Sequence, residues 1–277
     1  MTSIVRSIDP STIGAVIEAN INAYLLSFAE LPDAVPHHDP QCVWVDSGIA
    51  DATFNSVVYA RFNPEDVDAD IETALDHFRQ RSLPFTWHIG PGSEPAALGS
   101  RLLAHGLSHS EDEPGMAVEL GQARDDFAIP AGLVITPVRD EDDLRAWVDV
   151  WLFPVPPEIR ELSFEALRLR GLGEDCPWQF YQGWQDGTPV ATAELFIGEG
   201  VAGVQYVVTL PELRRQGIGA AMTQHVLREA RAGGHKIAVL TASPDGIGIY
   251  RRLGFQDCCW FRRYEWDPPD PSRPFGP

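Results

Sequence analysis

Residues 210–221 read Leu-Pro-Glu-Leu-Arg-Arg-Gln-Gly-Ile-Gly-Ala-Ala, and the reading of the whole chain turns on them. Upstream, residues 204–209 have the composition of a strand. Downstream, residues 218–231 carry apolar side chains at helical spacing. A strand that enters a helix through Arg214, Arg215, Gln216, Gly217, Ile218, Gly219 and Ala220 presents first-turn N–H groups that no helical carbonyl reaches. Gly217 and Gly219 put no side chain in front of them. The helix dipole and the two arginines favour negative charge there, so the turn is read as a pyrophosphate site.

Composition bounds what surrounds this turn. The chain has 277 residues, which suggests two domains and room for a sizeable core. Its formal net charge is -19. Residues 1–132 hold 20 acidic and 6 basic side chains, and residues 133–277 hold 20 and 15. A surface this acidic argues against nucleic acid and anionic membrane as partners. Cys42, Cys176, Cys258 and Cys259 form no CxxC pattern, as expected of a reduced, cytoplasmic protein. The first residues show no basic stretch followed by an apolar core, and no apolar run is long enough to span a bilayer. No metal site is expected. His105 and His109 have i,i+4 spacing, but Gly106 interrupts the helix between them.

Along the chain, residues 11–30, 64–81 and 94–105 read as helices. Residues 42–46, 55–62, 84–89, 107–110 and 115–120 read as strands. Residues 31–36, with two prolines, read as a loop. A polar stretch at 122–132 marks a boundary. Beyond it come strand 133–138, helices 141–152 and 158–170, and strands 178–185, 188–198 and 201–209. Asp186-Gly187 is a hairpin signal between the first two of those three strands. Strand 236–241, helix 245–253 and strand 255–266 follow the glycine turn. The expected division is a first domain at 1–130, a second at 131–267 and a proline-rich tail at 268–277.

The two halves run in parallel. Pro64-Glu65 and Pro211-Glu212 each follow a strand and precede a long helix, and Gly106 and Gly254 close equivalent segments 42 and 43 positions later. This pattern reads as an internal duplication of one α/β domain.

Residues 133–266 resemble the GNAT superfamily of N-acyltransferases, on three pieces of sequence. Arg214, Gly217 and Gly219 fit the family's glycine turn. Val207-Val208-Thr209 and the residues that follow fit its coenzyme-binding strand. Tyr250-Arg-Arg-Leu-Gly-Phe255 fits its tyrosine-to-glycine-phenylalanine segment. The tandem layout is similar to GNAT proteins with one degenerate domain, as in mycothiol-synthase-like enzymes. The resemblance implies an α/β fold with mixed sheets, two GNAT-like domains in tandem, and acetyl-CoA as cosubstrate. It implies coenzyme contacts at Val207, Val208, Thr209, Arg214, Arg215, Gln216, Gly217, Ile218, Gly219 and Ala220. Tyr250 falls where the family has the donor to the departing thiolate; a phenol with a pKa of ~10 keeps its proton at neutral pH.

The sequence departs from the family in two places. Where the family often has asparagine, seven residues before the tyrosine, this chain has Ser243, which reads as a partial coenzyme contact or as a helix N-cap. No general base stands out; Glu194, on a strand expected to be central, is the leading carboxylate, and a solvent-facing position is its plainer reading. In the first half, Asp68, Asp70 and Glu72 stand where the glycine turn would be, and Leu102 or Leu103 where the tyrosine would be. One coenzyme per chain is therefore expected. The expected activity is acetyl transfer to a primary amine of a small molecule, the oligomeric state being open. The alternative is a non-catalytic acyl-CoA sensor or partner-binding module.

Overall fold

The computed structural model describes residues 3–173 and 175–269. Most of the expected tail, residues 270–277, lies outside them. The chain begins with α1 (Ile13–Leu26), a 3-10 turn (Ser27–Glu30), β1 (Val35–His38), β2 (Cys42–Asp46) and β3 (Ser56–Ala60). Then come α2 (Val67–Arg81), β4 (Phe85–Ile89), α3 (Leu98–Ala104), β5 (Ser108–Glu119) and β6 (Leu133–Pro137). After these come α4 (Glu141–Trp151), α5 (Pro157–Arg170), β7 (Trp178–Gln185), β8 (Thr188–Gly198) and β9 (Val201–Thr209). The last elements are a 3-10 turn (Pro211–Leu213), α6 (Ile218–Ala232), β10 (Ile237–Thr241), α7 (Ile247–Leu253) and β11 (Gln256–Trp266).

Packing divides the chain into two compact units. One holds the chain up to Tyr24 together with Glu113–Trp260; the other holds Leu25–Asp112 and the chain from Phe261 onward. This is a different division from the cut at residue 130. Each unit takes an edge strand from the other half of the sequence. In the second unit the strand order is β1-β2-β3-β4-β11, with β3 and β4 parallel and the other neighbours antiparallel. The last strand of the chain, Arg262 to Trp266, therefore lies against Ile89 to Phe85. In the first unit the order is β5-β10-β9-β8-β7-β6, with β9 and β10 parallel. Here β5, from the first half, closes the edge by pairing Gly115–Glu119 with Thr241–Ile237.

Local chemistry explains the elements that carry the site. The β7–β8 hairpin turns on Asp186 (φ 51°) and Gly187 (φ 79°), and the β8–β9 hairpin on Glu199 (φ 53°) and Gly200 (φ 76°). Two successive left-handed residues give the primed turn whose twist matches that of paired strands. Residues 190–196 of β8 are all buried, as expected of a strand covered on both faces. Helix α4 opens on a reciprocal cap: the Asp140 side chain accepts from the Asp143 N–H at 2.9 Å, and Asp143 accepts from the Arg139 N–H at 3.1 Å. Leu144, Trp147, Val148 and Trp151 then form one buried stripe against β7, β8 and β9. Helix α6 covers the opposite face, packing Ile218, Ala221, Met222 and Val226 into the larger core.

The second unit has its own core. Ile71, Leu75 and Phe78 of α2 and Leu98 and Leu102 of α3 meet Phe85, Trp87 and Tyr264. Asp46 is buried there at the end of β2, where it receives His77 at 2.8 Å and Arg81 at 2.6 Å. Two local expectations needed correction in the first half of the chain. Residues 35 and 36, read as the end of a loop, belong with His37 and His38 to β1, and His37 stacks on Trp44 with ring centroids 4.8 Å apart. The two short strands expected around Pro114 are one twelve-residue strand, β5.

Candidate active site

The site is built where β9 leaves β10. The two parallel strands pair at Ala202↔Ala238 and Gly203↔Val239, and β9 then runs on to Thr209 without β10 beside it. Residues Gln205 to Thr209 are half-buried. A row of their backbone N–H and C=O groups therefore faces a gap rather than a strand. Such groups are strong hydrogen-bonding sites that call for a partner.

The gap is sharpened by a bulge. On one side of it Glu194 pairs with Gln205; on the other Thr192 pairs with Val208, so β9 holds one extra residue. Tyr206 sits there at φ 46°, in the left-handed region that costs a non-glycine residue about 1–3 kcal/mol. Its carbonyl accepts from the Thr192 hydroxyl at 2.9 Å. The bulge turns the Tyr206 ring to the side of the sheet covered by α4, where it meets Trp151 at 4.5 Å, Trp147 at 6.2 Å and Tyr24 at 5.9 Å between centroids.

At the end of β9 the chain enters the glycine turn. Arg214, Arg215, Gln216 and Gly217 are exposed. Arg214 donates from Nε to the Thr209 carbonyl at 3.2 Å, and Arg215 has no ion-pair partner among the described residues. Gly217 caps α6 at φ 88°, with no side chain bonding to the helix N–H groups. A Cβ on Gly219 would meet Thr209 Oγ1 at 3.7 Å and Ile249 Cδ1 at 3.8 Å, ordinary contacts. No neighbour among the described residues requires glycine at 219. The same distances set the end of β9, the start of α6 and α7 side by side.

Tyr250 follows Ile249 on α7. It is half-buried, packed edge-on against Phe255 at 5.8 Å, and its hydroxyl has no hydrogen-bond partner among the described residues. Burial, with the nearby charge of Glu113, pushes its pKa up to about 12. Ser243 is exposed ahead of α7. Its carbonyl, rather than its hydroxyl, receives the Gly246 and Ile247 N–H groups at 2.8 and 3.1 Å, and no side chain caps the helix. Its N-cap reading is thereby corrected: Pro244 to Gly246 form a turn, so the helix starts at Ile247, beyond the reach of the hydroxyl.

Glu194 lies on the face of β8 that is covered by α4 and α1, fully buried rather than facing solvent. The Tyr24 hydroxyl donates to its Oε2 at 2.9 Å, and Oε1 has no hydrogen-bond partner among the described residues. Burial lifts its pKa to about 7; the Arg170 charge and the Tyr24 bond offset this only in part. A carboxyl that titrates near neutrality is suited to accepting a proton. The Arg170 guanidinium lies 4.0 Å over Trp178 and 5.4 Å from the Tyr24 ring. Sequence reading missed Tyr24, Arg170 and Tyr206. Nothing in a helix core tyrosine announces a contact with a strand 170 positions away, and no residue type marks the bulge.

The corresponding place in the other unit is built differently. There β3 and β4 pair at Ser56↔Thr86 and Val57↔Trp87, and the chain after β4 returns to β3. Glu94 donates its N–H to Ala60 O at 2.8 Å, and its carbonyl accepts from Phe62 N–H at 3.1 Å. Backbone from the same chain thus takes the groups that β9 leaves open. At the head of α2, Asp68 pairs with Arg101 at 3.1 Å and His105 at 3.0 Å.

Residues 141–255 match the acetyltransferase (GNAT) family. Among curated proteins none matches the sequence. The chain is similar to the solved structure of a GCN5-related N-acetyltransferase from Kribbella flavida, with 25% identity, a TM-score of 0.72, and coverage of 93% of this chain and 96% of that one. It shares its fold with a GCN5-related N-acetyltransferase from Sphaerobacter thermophilus, at 18% identity and a TM-score of 0.59, covering 95% and 94%. It also shares it with a tandem GNAT protein from the clavulanic acid biosynthesis pathway, at 15% identity and a TM-score of 0.55, covering 98% and 99%. These matches extend over nearly the whole chain, as two GNAT-like domains in tandem require. No helix among the described residues is long and apolar enough to cross a membrane.

Proposed function

Since residues 141–255 carry a domain of the acetyltransferase (GNAT) family, we propose that the protein moves an acetyl group from acetyl-CoA to a primary amine of a small molecule. One observation carries the reading: the gap between β9 and β10 leads straight to an α6 N-terminus with no side-chain cap. A coenzyme with an amide-bearing arm and a pyrophosphate is complementary to both parts.

The residues fit that ligand. The N–H groups of Ile218, Gly219 and Ala220 belong to the first turn of α6 and are available to an anion. Gly219, required by no neighbour among the described residues, leaves the backbone open to close approach. Arg214, Arg215 and Gln216 line the exposed turn and add charge and donors. Val207, Val208 and Thr209 offer the backbone row for an arm lying as an added strand. Ser243 offers a hydroxyl nearby. When bound, acetyl-CoA would supply the activated acyl group. Tyr250, with a pKa near 12, stays a hydrogen-bond donor at neutral pH and stabilises a departing thiolate in that role. Glu194 is the base that takes the amine proton. We assign residues 131–267 as the catalytic half and residues 1–130 as a half without coenzyme. A cytoplasmic location is proposed from its four free cysteines.

Calorimetric titration with acetyl-CoA tests the donor: one site per chain is expected, and no heat of binding refutes the reading. Thiol release with a panel of primary amines tests transfer. The full burial of Glu194 favours a second reading, a coenzyme-binding sensor or partner-binding module without turnover. Binding with no thiol release on any amine selects it.

A further inference from the structure

Buried as it is, Glu194 cannot touch an amine that arrives from solvent. A proton therefore needs intervening groups to reach it. Tyr24, on α1, donates to Glu194 Oε2 at 2.9 Å. The Tyr206 ring meets that of Tyr24 edge-on, with centroids 5.9 Å apart, and the interaction of the two side chains helps to raise the Tyr24 pKa. With the carboxylate ionised, the Tyr24 proton is committed to Glu194, which leaves the Tyr24 oxygen to accept a proton from its neighbour Tyr206. Tyr24 is buried, whereas Tyr206 is half-buried and stands on the stretch of β9 that β10 leaves open. The bulge, with its left-handed backbone, aims Tyr206 to the Glu194 side of the sheet. Regular alternation after Gln205 would send residue 206 to the α6 side instead.

We infer that Tyr206 and Tyr24 form a two-hydroxyl relay that carries the ammonium proton of the acceptor inward to Glu194. This rests on the reading of the protein as an amine acetyltransferase with Glu194 as its base. The ammonium N–H bond breaks as its proton passes to the Tyr206 oxygen. Tyr206 releases its own proton to Tyr24, and Tyr24 releases its proton to Glu194 Oε2. The cationic ammonium and the carboxylate become a neutral amine and a neutral acid, and the nitrogen lone pair is freed for attack. Tyr206 is the catalytic residue of the pair, and Tyr24 acts through it. The other charged group facing Glu194 is Arg170, at the end of α5. The neighbouring faces of α4, β7 and β8 present Trp147, Trp151, Phe180 and Phe196, which carry no charge.

The test compares Tyr206→Phe, Tyr24→Phe and Glu194→Gln with the wild type in the full chain. Thiol release from acetyl-CoA is followed with tryptamine and a panel of other primary amines, from about pH 5.5 to 9.5. Wild-type kcat/KM is expected to rise to a plateau with a midpoint near 7. Each variant should lose about 100-fold at neutral pH, and its rate should climb with pH throughout instead of levelling. The Tyr206→Phe/Tyr24→Phe double variant should be no slower than either single one, because the two act as a unit. Acetyl-CoA binding should be unchanged. A uniform loss that keeps the midpoint near 7 in the tyrosine variants overturns the relay and leaves them a packing role. An unchanged profile in Glu194→Gln overturns the base reading, and no turnover with any amine overturns acetyl transfer; the relay falls with either. If Tyr24→Phe fails to fold, the half-buried Tyr206→Phe decides by the same profile.

Discussion

Replacing Glu194 by glutamine should flatten part of the pH dependence of stability. In the folded chain the carboxyl titrates near 7 against an ordinary value of 4.5, because burial penalises the charged form. A carboxyl with a raised folded pKa stabilises the fold below its unfolded pKa and loses that contribution as pH rises through the folded value. A shift from 4.5 to about 7, at 1.36 kcal/mol per unit, comes to about 3 kcal/mol in full. Between pH 5 and pH 8 roughly 2–3 kcal/mol of it is expressed. Glutamine keeps the shape and can accept from Tyr24, yet carries no charge to desolvate. The variant should gain stability over the wild type as pH rises, and other titrating groups cancel in the difference. Urea denaturation of both proteins at pH 5 and pH 8 measures it. A difference between the two proteins that is the same at both pH values refutes the assignment of a buried carboxylate that ionises in place.

Two further outcomes follow from the site. Tyr250→Phe should cut turnover by tenfold or more with acetyl-CoA binding intact. Because the phenol titrates near 12, the wild-type rate should show no alkaline fall from Tyr250 below about pH 11, and stopped assays across pH check both. Gly217→Ala forces a Cβ into a backbone at φ 88° and should cost about 1–2 kcal/mol in urea denaturation, while weakening acetyl-CoA in calorimetry.

Much of the fold was legible because its signals are local. Strands β7, β8 and β9 fall at the expected boundaries, since apolar runs and glycine-bearing turns delimit them. Helix α6 follows from its glycines and its apolar stripe. The open turn at 214–220 was legible for the same reason, since its glycines and arginines lie next to one another in sequence, and its use by an anion belongs to the proposal. What escaped is long-range or conformational. Strand β1 is built from Val-Pro-His-His, in which only Val35 favours a strand, and it extends because β2 is there to pair with. The burial of Glu194 depends on α1 and α4, so a lone carboxylate among apolar residues could not be placed by inspection. The bulge at Tyr206 is a register shift between two strands, which has no signature in either alone.

The exchange of β5 and β11 sets the order in which the protein can be made. Residues 85–89 leave the ribosome long before their edge partner, residues 262–266, is synthesised. The unit assembled mostly from the first half must therefore wait, with one strand edge open, until residues 262–266 have been translated. Contacts this distant in sequence slow folding and lengthen the exposure of an unpaired edge. A premature stop shortly before Phe261 would thus strike the unit built on Leu25–Asp112, although the stretch at 141–255 that matches the GNAT family had been translated in full.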